Sequence, residues 1–216
     1  MVIYLMRHGE TEWNRGGRLQ GQSDIPLNEF GIGLAEKTAE GLKGVPFDAV
    51  FSSPLQRALL TAQIVTGSRA VSIETDDRLK EIHFGAGEGT RFDLAKGDES
   101  HPLHNFFCRP ERYFPEGEAE SFDGVRARAK AFLEDRIFPL EGRFAGGESG
   151  GGNILIVAHG AINRCILNSI AGIPDRDFWR INLPNCAVAV LSLEGGKLKI
   201  LEESRVYGGT SVNGRP

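Results

Sequence analysis

Val2-Ile3-Tyr4-Leu5-Met6-Arg7-His8-Gly9-Glu10-Thr11 opens with an apolar run that is too short for a helix, carries β-branched residues and stops abruptly at Arg7. Such a run predicts a buried strand that enters a loop, with Arg7-His8-Gly9 at the strand's carboxyl end. Ile154-Leu155-Ile156-Val157-Ala158 repeats the pattern and delivers His159-Gly160. In open α/β sheets ligands bind beyond the carboxyl ends of the strands. Two histidines far apart in sequence therefore become candidates for one shared site.

The elements between these strands alternate. Leu34, Thr38 and Leu42 recur at helical spacing after Asn28, a residue suited to the N-cap, although Gly31 and Gly33 weaken the first turns. A second short strand at 48–51 runs into Ser52-Ser53-Pro54, and the helical pattern of 55–65 places Arg57 in its first turn. A third strand is expected at 71–73, and the glycines of 84–90 require a loop. Phe122, Val125, Ala129, Phe132, Leu133 and Ile137 form a helical stripe predicted to end before Pro139. Gly146-Gly147-Glu148-Ser149-Gly150-Gly151-Gly152 reads as a flexible connection. A helix is expected over 161–171, then strands near 186–193 and 197–203 joined across Glu194-Gly195-Gly196, a hairpin signal. The fold class that follows is α/β: a three-layer α/β/α sandwich with a mostly parallel sheet and an antiparallel edge strand. A length of 216 residues suits one domain, 1–216, with an excursion near 91–118 that should cover the site and select substrate.

Hydrophobic residues make up 40% and charged residues 25%, as in globular proteins. The formal charge of −4 provides no overall basic field, so no nucleic-acid partner is expected. The apolar opening is too short for a spanning helix or signal peptide, which predicts no membrane association and a cytoplasmic location. Cys108, Cys165 and Cys186 show neither disulfide nor zinc spacing. The oligomeric state stays open, a homodimer included.

Cleavage of a phosphate monoester needs an unprotonated nucleophile, cations or N–H donors around the non-bridging oxygens, and an acid for the departing alkoxide. His8 can attack through one ring nitrogen if the other donates to a backbone carbonyl, for which Gly9 is available. Arg7 and Arg57 offer planar donor forks, Asn14 and His159 can complete a cage, and Glu81 is the nearest candidate acid. Read differently, His8, His159 and Glu81 make a two-histidine, one-carboxylate metal set, but two arginines in the same pocket would repel a cation. Gly31, Gly33, Lys37 and Thr38 suggest a nucleotide loop, which fails because Glu36 precedes the lysine. A catalytically silent phosphoryl-binding module on the same fold is a third reading.

Leu5-Met6-Arg7-His8-Gly9-Glu10-Thr11 with Trp13-Asn14, Arg18, Gln20-Gly21, Asp24 and Pro26-Leu27 resembles the histidine phosphatase superfamily, the phosphoglycerate mutase-like proteins. Ser52-Ser53-Pro54-Leu55-Gln56-Arg57-Ala58, Leu79-Lys80-Glu81-Ile82, 118–126 and Val157-Ala158-His159-Gly160 follow in the family's order, so the resemblance spans about residues 1–205. It implies His8 as the phosphohistidine nucleophile and Glu81 as proton donor. Arg7, Asn14, Arg57 and His159 would form the phosphate pocket, Gln20 and Gly21 its rim, with Gly160 beside His159. It also implies a small phosphorylated metabolite as partner and no metal or organic cofactor. Mutases of the family follow the acid glutamate with an arginine and, two residues later, a tyrosine, whereas this chain has Glu81-Ile82-His83-Phe84-Gly85. The excursion lacks an adjacent arginine pair and is rich in aromatic residues, among them Phe106, Phe107, Tyr113 and Phe114. The resemblance therefore leans to the phosphatase branches, with a cofactor-dependent phosphoglycerate mutase or a fructose-2,6-bisphosphatase-like enzyme as the alternative. Roles for His83, His101 and His104 are left open.

Overall fold

The computed structural model describes residues 1–67, 69–144 and 151–207. Six strands form one sheet in the order β3-β2-β4-β1-β5-β6. These are β1 Val2–Arg7, β2 Ala49–Ser52, β3 Ile73–Thr75, β4 Asn153–Ala158, β5 Val188–Glu194 and β6 Lys197–Arg205. The first four run parallel, and the closing hairpin adds β5 antiparallel to β1 and β6 antiparallel to β5.

Alternation along the central strands explains the two covering layers. Ile3 and Leu5 of β1, with Ile154, Ile156 and Ala158 of β4, face one core. Met6, Leu155 and Val157 face the other. The second core is closed by α2 (Glu29–Gly41) and α3 (Gln56–Thr66), the first by α6 (Phe122–Phe132) and α8 (Gly160–Ala171). Both faces of β1 and β4 are thus dry, which accounts for their unbroken apolar runs.

The register aligns the chemistry. Arg7 pairs with Ala158, so His8 and His159 leave neighbouring strands at the same level. The His8 N–H donates to Ala158 O at 3.0 Å, and on the other side the Ser53 N–H donates to Val157 O at 2.9 Å. Asn28 caps α2 as expected, accepting from the Gly31 N–H at 2.8 Å. The glycine there has a packing reason: a Cβ on Gly31 would lie 2.1 Å from Glu10 O, so α2 approaches the loop after β1 only because the side chain is absent.

Two expectations need correction. The third strand lies at Ile73–Thr75, later than 71–73. The helix from Phe122 does not end before Pro139. It widens into a π-helical turn over Leu133–Ile137 and resumes as α7, Phe138–Phe144. Pro139 is tolerated because it falls in the first turn of the resumed helix, where its missing N–H has least consequence. The excursion near 91–118 contains two short helices, α4 (Phe92–Gly97) and α5 (His104–Cys108). α1 is a single turn at Glu12–Arg15. The glycine-rich connection predicted at 146–152 lies, as far as residue 150, outside the described residues.

Phe106 of α5 anchors the excursion, with ring centroids 4.9 Å from Phe84, 5.0 Å from Phe107 and 5.3 Å from Phe122. Truncating a buried phenylalanine of this kind costs about 3–5 kcal/mol. The ends of the excursion are tied to each other: the His83 N–H donates to Glu120 Oε2 at 2.9 Å and the Glu120 N–H to His83 O at 2.8 Å. Cys165 and Cys186 are buried thiols, each pushed up to about 12 by desolvation, while Cys108 is exposed.

Candidate active site

A cavity of about 160 Å³ opens at the carboxyl ends of β1, β2 and β4 and is lined by Arg7, His8, Asn14, Gln20, Gly21, Arg57, Glu81 and Gly160, among others. The structure therefore brings eight of the nine sequence-chosen residues to one wall. His159 is the exception, since it lies wholly buried beneath the floor, its ring centroid 5.0 Å from that of His8.

His8 Nδ1 lies 2.6 Å from Gly9 O. A carbonyl only accepts, so Nδ1 carries the proton and Nε2 keeps its lone pair. Burial pushes the His8 pKa well below 6.5, and Arg57 and Arg7 push it further, against the Gly9 hydrogen bond. The ring is thus neutral and nucleophilic at neutral pH. Asn185, which sequence reasoning missed, donates from Nδ2 to His8 O and Gly9 O, each at 3.1 Å, and fixes the turn that carries the ring.

Arg57 is fully buried at the second position of α3. Its Nη1 donates to Ser23 O and its Nη2 to Gly21 O, both at 2.7 Å, while Nε donates to His159 Nδ1 at 3.2 Å. Two of its N–H groups remain for a ligand, since a guanidinium has five. Because Nδ1 of His159 accepts, Nε2 carries the proton and gives it to Ser53 Oγ at 2.8 Å. Both nitrogens of His159 are engaged here, one by Arg57 and the other by Ser53, and its ring lies behind that of His8. The same engagement leaves His159 no lone pair for a metal.

The loop that holds Arg57 is itself held by Glu88, whose carboxylate accepts from the Gln22 and Ser23 N–H groups, each at 2.8 Å. Gly21 has φ 53°, and a Cβ there would lie 2.1 Å from Glu88 Oε1, so the loop needs this glycine on both counts. Arg7 donates from Nη1 to Leu183 O at 2.6 Å, but its buried Nε has no partner among the described residues. Burial lowers the pKa of Arg7, and lowers that of Arg57 to about 10, with Glu81 opposing in each case. Asn14 Oδ1 accepts from the Thr11 N–H at 3.2 Å, and Gln20 Oε1 accepts from Thr11 Oγ1 at 2.9 Å. Their amide NH₂ groups are left for the cavity.

Glu81 reaches the amino terminus of α8, where its carboxylate accepts from the Ala161 and Ile162 N–H groups at 3.0–3.1 Å. A helix amino terminus favours such a partner. Arg128 of α6 fixes the acid's backbone by donating to the carbonyls of Arg78, Lys80 and Glu81 at 2.5–3.0 Å.

Phe106 and Phe107 of the excursion line the cavity as expected, joined at the mouth by Phe92 and by Trp179 from the segment before β5. Tyr113 and Phe114 do not line it, the first turned into the aromatic cluster beside Phe106 and the second 83% exposed. None of the three unassigned histidines reaches the wall. His83 Nδ1 donates to Glu118 O at 2.9 Å, His101 Nδ1 accepts from the Leu103 N–H at 3.1 Å, and His104 is buried.

The sequence model of the histidine phosphatase superfamily (branch 1) matches residues 3–204. The chain belongs to this superfamily. Among solved structures, Bacillus stearothermophilus YhfR superposes with a TM-score of 0.82 at 32% identity, covering 94% of this chain and 96% of that one. A phosphoserine phosphatase from Entamoeba histolytica, in complex with 3-phosphoglyceric acid, superposes with a TM-score of 0.79 at 28% identity, covering 95% and 97%. A curated relative from Photorhabdus laumondii named "Probable phosphoglycerate mutase GpmB" is 33% identical over 191 residues, 88% of this chain and 83% of its own length. Among the described residues of this superfamily member, no helix is long and apolar enough to cross a membrane.

Proposed function

We propose that the chain is a phosphatase that hydrolyses phosphate monoesters of small metabolites through a phosphohistidine. The observation that carries this reading is a neutral, carbonyl-oriented His8 beside buried arginines that still have N–H groups without partners among the described residues. Burying cations is costly, and a phosphate dianion between Arg7 and Arg57 offsets that cost. His8 Nε2 attacks phosphorus in line with the ester oxygen. The bond to that oxygen breaks, and Glu81 supplies the proton. In the second step Glu81 takes a proton from water, whose oxygen attacks phosphorus and releases His8 and inorganic phosphate. The first step needs Glu81 protonated, and Oε2 can carry the proton while Oε1 keeps accepting from the Ala161 and Ile162 N–H groups.

The cavity supports hydrolysis over isomerisation. The aromatic lining at Phe92, Phe107 and Trp179 and the missing arginine and tyrosine after Glu81 favour hydrolysis, with Arg15, Arg18 and Arg164 as the cavity's further cations. Phosphate release from aryl, sugar, nucleotide and glycerate phosphates, with chelator present, is the test, run beside a coupled assay for 3- to 2-phosphoglycerate conversion. Release without isomerisation is expected. Isomerisation that depends on bisphosphoglycerate would establish the mutase reading instead.

A further inference from the structure

Arg164 has no part in the mechanism above and was not singled out by sequence, yet it lines the cavity and is 4% exposed. It sits on α8 between Asn163 and Cys165, both buried. Its Nε donates to Ile181 O at 3.0 Å and its Nη1 to Gly160 O at 3.1 Å, which fixes the guanidinium plane. Among the described residues Nη2 has no hydrogen-bond partner, and no carboxylate pairs with this cation. Trp179 backs it, with Cζ 5.0 Å from the ring centroid, and the indole is held by its N–H donating to Phe106 O at 3.0 Å. The cation is therefore aimed, backed and unpaired.

Its position relative to the chemistry can be read at Gly160. A Cβ there would lie 3.3 Å from Arg164 Nη1, 3.6 Å from Arg7 Nε and 3.6 Å from Glu81 Oε2. Arg164 is thus beside both Arg7 of the phosphate pocket and Glu81, next to the ester oxygen that Glu81 would protonate. We infer that Arg164 is a specificity-determining residue that binds a carboxylate carried on the alcohol half of the substrate, close to the ester oxygen. This inference rests on the phosphatase reading.

The choice of a carboxylate follows from charge and space. One free guanidinium nitrogen matches a singly charged group better than a dianionic phosphate. The small cavity also restricts the carboxylate to a short carbon chain. Burial, with Arg7 adding to it, pushes the Arg164 guanidinium down to about 9, a cost that an anionic ligand would offset.

The test compares matched esters: O-phosphoserine with phosphoethanolamine, and 3-phosphoglycerate with glycerol 3-phosphate. The parent protein is expected to favour the carboxylate member of each pair by about tenfold or more in kcat/KM, as one charge-assisted contact allows. Arg164→Met should abolish that preference, chiefly through KM, and leave p-nitrophenyl phosphate hydrolysis within about threefold of the parent. Arg164→Gln, which keeps a donor for Gly160 O, should do the same if the methionine variant does not fold. Equal loss on every ester, an undiminished preference or a preference for bisphosphates would each overturn the inference. Were no ester hydrolysed, the phosphatase reading would fail, but calorimetry with His8→Ala would still decide the role of Arg164. Tighter binding of 3-phosphoglycerate than of glycerol 3-phosphate, lost in His8→Ala/Arg164→Gln, supports it, and equal binding overturns it.

Discussion

At the floor of the cavity His8 and Arg57, with His159 beneath them, are held through ring nitrogens and backbone carbonyls, whereas at the mouth Phe92, Phe107 and Trp179 meet mainly through their faces and edges. Phe107 stacks on Trp179 with centroids 5.8 Å apart and meets Phe92 at 6.4 Å. Hydrogen bonds fix angle and distance, so a floor residue has few acceptable replacements. Ring contacts fix only area and approximate shape, so a mouth residue can be exchanged for another of similar size. The floor specifies a reaction, and the mouth specifies what reaches it.

This contrast can be broken most decisively at His8. His8→Ala should lower the turnover of p-nitrophenyl phosphate by at least about 10⁴-fold, as loss of a nucleophile does in enzymes that depend on one. Substantial residual activity in a purified sample would remove the phosphohistidine from the mechanism. His159→Ala should cost about 10²–10³-fold, comparable to losing one donor to the developing charge, because Arg57 would lose its anchor. If kcat for aryl phosphates stayed at the parental value, the Arg57–His159 bond would be structural only. Glu81→Gln sharpens the leaving-group side: about 10²-fold or more should be lost on alkyl esters and far less on activated aryl phosphates. Equal losses on both would refute the acid role.

Smaller effects are expected at the mouth. Phe107→Leu should change KM by less than about tenfold and reorder the substrates, with kcat for p-nitrophenyl phosphate unchanged; a uniform fall in kcat would place Phe107 with the floor. The buried histidines also predict a pH dependence of stability. Both pKa values lie well below 6.5 in the folded state, so below about 6.5 the unfolded chain binds more protons. Stability should be full above that pH and decline as pH falls beneath it. Tm measured from about pH 7.5 to 5 should show this, with a shallower decline in His8→Asn.

Much of the floor was legible because its residues stand where local patterns end. Arg7-His8-Gly9 and His159-Gly160 follow short apolar runs, and Arg57 follows a serine-proline turn. The position of His159 below the cavity was not legible, since strand spacing gives the level at which a residue leaves the sheet and not which neighbour takes its ring nitrogens. Asn185 and Trp179 belong to the segment before β5, where no period marks which side chains point inward. Arg164 did leave a signal, namely an arginine among apolar residues one turn after His159-Gly160, a residue type that is almost never buried without a partner. The break of the stripe at Leu133–Ile137 was hidden because apolar spacing looks the same in an α-helix and in one with a single widened turn.

The reciprocal bonds between His83 and Glu120, together with the three carbonyls gripped by Arg128, close the excursion into a loop whose two ends are adjacent. A loop clamped in this way can change length or sequence without moving its base, because closing a longer loop costs little more entropy. The stretch 91–119, which leaves Glu88 and its hold on the Arg57 loop in place, is therefore an exchangeable cassette. Inheritance or engineering could replace it whole and present the same acid and nucleophile with a different clientele.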